Sequence, residues 1–272
     1  MSLCKDCVKG VIHEGTAKGK WEKIGGVDCY VATPSNADYP KDKVLLYLAD
    51  AFGPQFINAK AFKRVLFANS CLPSYMRQLL VDSFAENGFK TIAPDYFDGD
   101  AVPEGLLIKH GANEPLNPDI VLWLSRHTQE QTRPILDKVI NALKEQGTKE
   151  FGATGYCFGG RYVFDLAIDN VIKAGAASHP SLLQIPADLE KYVKTSQTPL
   201  LINSCEVDDQ FPLEAQTAAD KVFKDFAPGY KRVHFDGCVH GFAVRGDLNN
   251  PKVKEGKEGA FKNTIEWMVK HL

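Results

Sequence analysis

Short apolar runs alternate with amphipathic helical stretches along most of this chain, and that alternation is the strongest constraint on its fold. Residues 28–33, 44–49, 90–93, 151–156, 174–178, 200–204 and 232–236 read as strands. Residues 78–87, 129–145, 159–169, 213–226 and 256–271 read as helices, with Ile135, Val139, Ala142 and Leu143 on one face of the second. The strands are continuous apolar runs rather than alternating ones, as in a sheet covered on both faces. Strand then helix, repeated, predicts an α/β fold with a mostly parallel sheet and crossover helices on both faces. No internal repeat or linker interrupts the 272 residues, so a single domain over 1–272 is expected.

Composition narrows the function classes. Thirty-two basic and 34 acidic residues leave a net charge of −2, which gives no general attraction for nucleic acid or anionic lipid. No apolar run approaches the roughly 20 residues needed to cross a bilayer. Residues 1–10 lack the apolar core of a secretory signal, and seven cysteines are too scattered for a disulfide scaffold. A cytoplasmic protein with free thiols is therefore expected, as monomer or homodimer, with neither membrane nor nucleic-acid partner. Cys4-x-x-Cys7 has only His13 nearby, too few ligands for zinc, and it does not open a helix after a strand as a redox pair should. Phosphate-binding glycine loops are absent, so neither a metal nor a cofactor is expected.

In an α/β sheet the site lies beyond the carboxyl ends of the strands. After the strand at 151–156 stands Gly155-Tyr156-Cys157-Phe158-Gly159-Gly160, followed by a helix. This is the context of a nucleophile elbow with cysteine as nucleophile. The turn is tight enough that side chains two positions before and after the nucleophile would collide. Its sulfur projects at a helix N-terminus, where N–H groups and the helix dipole favour a thiolate and an oxyanion.

An acid and a base should follow in the chain. Asp208 comes off the strand at 200–204 into a turn, with Glu206 and Asp209 as competitors. His240 sits in the loop after the strand at 232–236. Of the other histidines (13, 110, 127, 179, 234 and 271), His179 also follows a strand, but it precedes the acid loop and breaks the order. The chemistry needs all three groups. A free thiol titrates near 8.5, an imidazole can take its proton, and a carboxylate on the far ring nitrogen holds the tautomer and stabilises the imidazolium.

These residues resemble the dienelactone hydrolase (carboxymethylenebutenolidase-like) family of cysteine hydrolases with the α/β-hydrolase fold. The elbow, Asp208-x-x-x-Pro212, His240-Gly241-Phe242, Leu48-Ala49-Asp50-Ala51-Phe52-Gly53 and Pro94-Asp95-Tyr96-Phe97-Asp98-Gly99-Asp100 carry the likeness, from about residue 28 onward. Cys7, His13-Glu14-Gly15 and Gly19 resemble the fungal branch. The resemblance implies Cys157 as nucleophile, His240 as base and Asp208 as its acid. It also implies Asp50 as a control on the resting thiol, and the backbone N–H groups of Ala51 and Phe158 as oxyanion hole. Bacterial relatives hold the substrate carboxylate with two arginines. One has no match near Tyr96–Asp98 and the other is displaced to Arg245. Arg245, Tyr96 and His179 are the expected substrate contacts. The implied activity is hydrolysis of a lactone or activated ester through a thioester. A thioesterase with the same triad and a non-catalytic binding member are the alternatives. Residues 61–77 depart from the family pattern. They read as an atypical insert, either a loop or helix at the mouth of the site or translated intron.

Overall fold

The computed structural model describes residues 9–12, 15–54, 75–103 and 117–272, with Tyr75 and Met76 described by their backbone alone. Its centre is an eight-stranded sheet: β1 (Lys20–Ile24), β2 (Val27–Ala32), β3 (Lys43–Leu48), β4 (Thr91–Pro94), β5 (Glu150–Tyr156), β6 (Ala174–Ser178), β7 (Leu200–Val207) and β8 (Tyr230–Val239). The order is β1-β2-β4-β3-β5-β6-β7-β8. β1 and β2 join antiparallel and β2 meets β4 antiparallel, while every later neighbour is parallel.

The helices are α1 (Tyr75–Glu86), α2 (Pro118–Arg126), α3 (Gln129–Glu145), α4 (Phe158–Ile168), α5 (Ala187–Thr195), α6 (Leu213–Val222), α7 (Phe242–Arg245) and α8 (Pro251–His271). Two apolar layers cover the sheet. One packs Trp123, Leu136, Val163, Phe164, Tyr192 and Phe223 of the α2–α6 side against Val44, Leu46 and Ile202. The other packs Leu80, Phe84, Phe261, Ile265 and Met268 of α1 and α8 against Leu45, Tyr47 and Leu201. The central strands are buried on both faces, which is why they lack alternation.

The observed elements differ from the sequence expectation in informative ways. α8 begins at Pro251, where Asn250 caps Lys252 N–H, rather than at Gly256. Gly256 is a packing residue: a Cβ there would lie 2.4 Å from Cys238 Sγ, so glycine lets the helix close on β8. α2 starts on an Asn117-Pro118 signal of the same kind and had no expected counterpart. β1, α5 and the single turn α7 were likewise not expected. α6 stops at Val222, and Phe223 and Phe226 stay buried beyond it. In α3 the buried face runs through Thr132, Leu136, Val139, Ile140 and Leu143, so Ile135 and Ala142 lie at its margin. α1 starts before residue 78, so residues 75–77 are its first turn; residues 61–74 lie outside the described ones, as do His13, His110, Cys4 and Cys7.

The α3 register is testable. Leu136→Ala should cost about 2–5 kcal/mol of unfolding free energy, as for a buried leucine, and Ile135→Ala markedly less. Urea unfolding of the two variants measures the difference.

Candidate active site

β5 delivers Tyr156 and α4 opens at Phe158, so one residue, Cys157, makes the whole turn at φ 51° and ψ −113°. A non-glycine residue with positive φ is strained and needs surrounding structure to hold it. Two close approaches do so. A Cβ on Gly155 would meet Gly159 O at 2.4 Å, and a Cβ on Gly159 would meet Leu48 O at 2.1 Å. The glycines on either side of the cysteine are thus steric requirements, and the elbow is pressed against the end of β3. Asp50 and Ala51 follow that strand end, where Ala51 O accepts from Val102 N–H at 2.9 Å. Phe158 is the first residue of α4, whose leading N–H groups have no partner within the helix.

β7 runs three residues further than expected, past a shift in its register with β8 between Cys205 and Val207, before releasing Asp208. The Asp208 carboxylate is buried. Its Oδ1 accepts from the backbone N–H groups of Gln210 (2.9 Å) and Phe211 (3.0 Å) and meets His240 Nδ1 at 2.8 Å. Glu206 and Asp209 are exposed, and Glu206 accepts from Gly237 N–H instead. Of the three acids, only Asp208 meets His240. The Asp208 contact makes Nδ1 the protonated nitrogen and leaves Nε2 unprotonated in the neutral ring. Nε2 is buried and accepts no hydrogen bond of normal geometry, a loose arrangement common in unliganded sites.

Cys157 and His240 set each other's titration. Burial opposes ionisation of the thiol, but the His240 charge, the ring's hydrogen-bonding reach and Arg245 outweigh it, so the thiol titrates below its ordinary value. Burial likewise opposes charge on His240. The thiolate and Asp208 outweigh it and push the imidazole well up. The pair therefore favours thiolate and imidazolium.

His179 is fully buried, against Tyr156, Phe242 and the His240 ring, whose centroid is 5.0 Å away. Burial, with His240 and Arg245 adding to it, keeps His179 well below its usual pKa and therefore neutral. It forms a wall behind His240 and has no exposed surface for a substrate. Tyr96 is also buried, with its hydroxyl donating to Ala49 O. Two of the three expected substrate contacts, His179 and Tyr96, are thus buried in the packing. His127 bonds Trp123 O, His234 lies beside Gln216 and Asp236, and His271 packs on Trp267.

A second charged cluster lies close by. The fully buried Asp50 carboxylate accepts from Arg77 Nε at 3.0 Å and from Arg245 Nε at 2.9 Å. Both guanidinium groups sit over the Phe52 ring, at 5.0 and 5.1 Å from its centroid. Arg245 keeps 28% of its side chain exposed, whereas Arg77 keeps 4%. Arg77 was not a candidate because it lay in a stretch that read as an insert. Ser181 was missed too: its Oγ is 3.3 Å from Cys157 Sγ, and a hydroxyl after a strand is too common to stand out. Among the described residues no group of three or more His, Cys, Asp or Glu side chains could hold a metal ion, and no helix is long and apolar enough to cross a membrane.

Sheet, elbow and strand-end residues define an α/β-hydrolase. The dienelactone hydrolase family model matches residues 74–272, and the chain belongs to that family. The chain is 32% identical to dienlactone hydrolase 1 of Gibberella moniliformis over 273 residues, covering 98% of this chain and 92% of that protein. It is 30% identical to hydrolase pyvD of Aspergillus violaceofuscus, over 98% and 96% of the two chains. Among solved structures it is similar to the dienelactone hydrolase-like promiscuous phosphotriesterase P91 from metagenomic libraries. That likeness has a TM-score of 0.58 at 18% identity and covers 92% of this chain and 97% of the other. The chain is accordingly a hydrolase of carboxylic esters or lactones, acting on small molecules.

The elbow geometry generates a stability prediction. Gly159→Ala places a methyl group against backbone that cannot rotate away, and should cost at least about 2 kcal/mol in thermal or denaturant unfolding.

Proposed function

We propose that the chain cleaves a lactone or activated ester through a Cys157-His240-Asp208 triad and a thioester intermediate. The observation that carries this reading is the 2.8 Å contact between Asp208 Oδ1 and His240 Nδ1, on a ring that shares a proton balance with the Cys157 thiol. Cys157 thiolate attacks the carbonyl carbon and forms a C–S bond. The N–H groups of Ala51 and Phe158 hold the oxyanion, aided by the N-terminus of α4. As the tetrahedral species collapses, the C–O bond to the leaving alkoxide or enolate breaks and His240 Nε2–H supplies its proton. Neutral His240 then takes a proton from water, whose oxygen attacks the thioester and expels the sulfur. A thiolate is itself a good leaving group, so leaving groups at least as stable, such as enolates and aryl oxides, suit the first step.

Asp50 acts on the resting thiol by charge, since its carboxylate opposes ionisation of Cys157 while Arg245 favours it. The partly exposed Arg245 is the group of this cluster that a substrate carboxylate would meet. The same reading has the enzyme as a single domain, monomeric or homodimeric, in the reducing cytoplasm.

Cys157→Ala should abolish turnover of an activated aryl ester or lactone, and the parent should show an acyl adduct on Cys157 by intact mass. Unchanged turnover in the variant would sink the reading. Asp208→Asn should lower kcat on the order of 10^3- to 10^4-fold by disturbing the His240 tautomer. The titration shifts give a pH dependence of definite sign. Thiolate persists below the ordinary thiol range and is lost only as pH falls through the lowered value. On the alkaline side, activity falls as the raised imidazolium loses its proton. Iodoacetamide alkylation of Cys157 should therefore have a midpoint below about 8.5, and His240→Ala should move it upward.

A further inference from the structure

The loop after β6 grips the elbow from the side opposite β3. Cys157 N–H donates to Ser178 O at 3.2 Å, and Ser181 N–H donates to Cys157 O at 3.0 Å. Pro180 lies so close to α4 that a Cβ on Gly160 would meet Pro180 Cα and Cβ at 2.8 Å. The second glycine of the Gly159-Gly160 pair thus serves this loop and not the turn itself. The loop adopts a demanding path to get there: His179 (φ 39°) and Leu182 (φ 63°) are both non-glycine residues in the left-handed region, flanking Pro180 and Ser181. Strain of this kind persists where surrounding structure fixes the segment for a purpose.

The loop carries one polar side chain to the nucleophile. Ser181 is buried, and its Oγ donates to Cys157 Sγ at 3.3 Å. This hydroxyl makes no other hydrogen bond among the described residues. A buried serine would ordinarily donate to a nearby carbonyl. We propose that Ser181 is a positioning residue of the reaction: its hydroxyl holds the Cys157 sulfur in one orientation and donates to it as a thiolate. The inference rests on Cys157 being the nucleophile.

The chemistry is that of a charge-assisted hydrogen bond. A hydroxyl donates weakly to a neutral thiol and more strongly to a thiolate, so it favours the ionised form. It complements His240, which reaches the sulfur from the β8 end. When the sulfur acylates, its charge disappears and the Ser181 bond weakens. Deacylation regenerates the thiolate and restores it.

Ser181→Ala removes the hydroxyl and keeps the backbone grip on Cys157 O; Ser181→Thr keeps both. The test follows iodoacetamide modification of the Cys157 peptide by mass spectrometry across pH, alongside aryl-ester kinetics, on variants with cooperative melting transitions. In Ser181→Ala the alkylation midpoint should rise, the rate near pH 6 should fall on the order of tenfold, and kcat should fall with little change in KM. Ser181→Thr should restore the parent profile. If loss of serine unfolds the loop, Ser181→Thr against Ser181→Val makes the same comparison at constant shape. An alanine profile that coincides with the parent, or threonine and alanine equally impaired, overturns the proposal. The first outcome leaves the triad standing, whereas full activity in Cys157→Ala removes the triad and this proposal together.

Discussion

One steric contact governs the site: Gly159 set against the carbonyl of Leu48, with no room for a Cβ between them. It brings the first turn of α4 onto the end of β3. As a result Cys157, the Ala51 turn and the α4 N-terminus occupy one corner of the sheet. The strained backbone of Cys157 follows from that approach, because a single residue must link a strand to a helix lying directly over the next strand. The sheet supplies the rest by parallel order. β6, β7 and β8 end in sequence beside β5, and they present Ser181, Asp208 and His240 from three successive loops.

Around the sulfur the charges are separated into two groups. Asp208 pairs with His240, and Asp50 pairs with Arg77 and Arg245. His179, neutral and buried, packs behind His240. Each carboxylate is saturated by fixed donors: backbone N–H groups for Asp208, and guanidinium groups held over Phe52 for Asp50. Such saturation leaves neither acid free to swing toward the thiol without first breaking an ion pair or a turn.

What could be read in advance followed from how local each feature is. The elbow was legible because its whole requirement, glycines around a cysteine between strand and helix, fits within six residues. The positions of the central strands followed from apolar runs. Asp208 could not be separated from Glu206 and Asp209 by spacing, because what distinguishes them is its burial and the two backbone N–H groups and the His240 ring that hold its carboxylate. His179 and Tyr96 follow strands but lie buried in the packing, since position after a strand says nothing about depth. Arg77 and Ser181 depend on contacts between distant segments. The last helix was expected from Gly256, but that glycine lies inside α8 and lets the buried helix approach a strand.

The two outer strands also have a consequence for solubility. β1 exposes Lys20, Trp21, Glu22 and Lys23, and β8 exposes Lys231, His234 and Asp236 along its length. Charged side chains at these margins disfavour the addition of a foreign strand, which would have to bury them. The antiparallel turnaround at one margin and the bulged, largely polar ribbon at the other thus cap a sheet whose interior strands are continuous buried apolar runs. Loops above the sheet can then vary in length without exposing a template for cross-β growth.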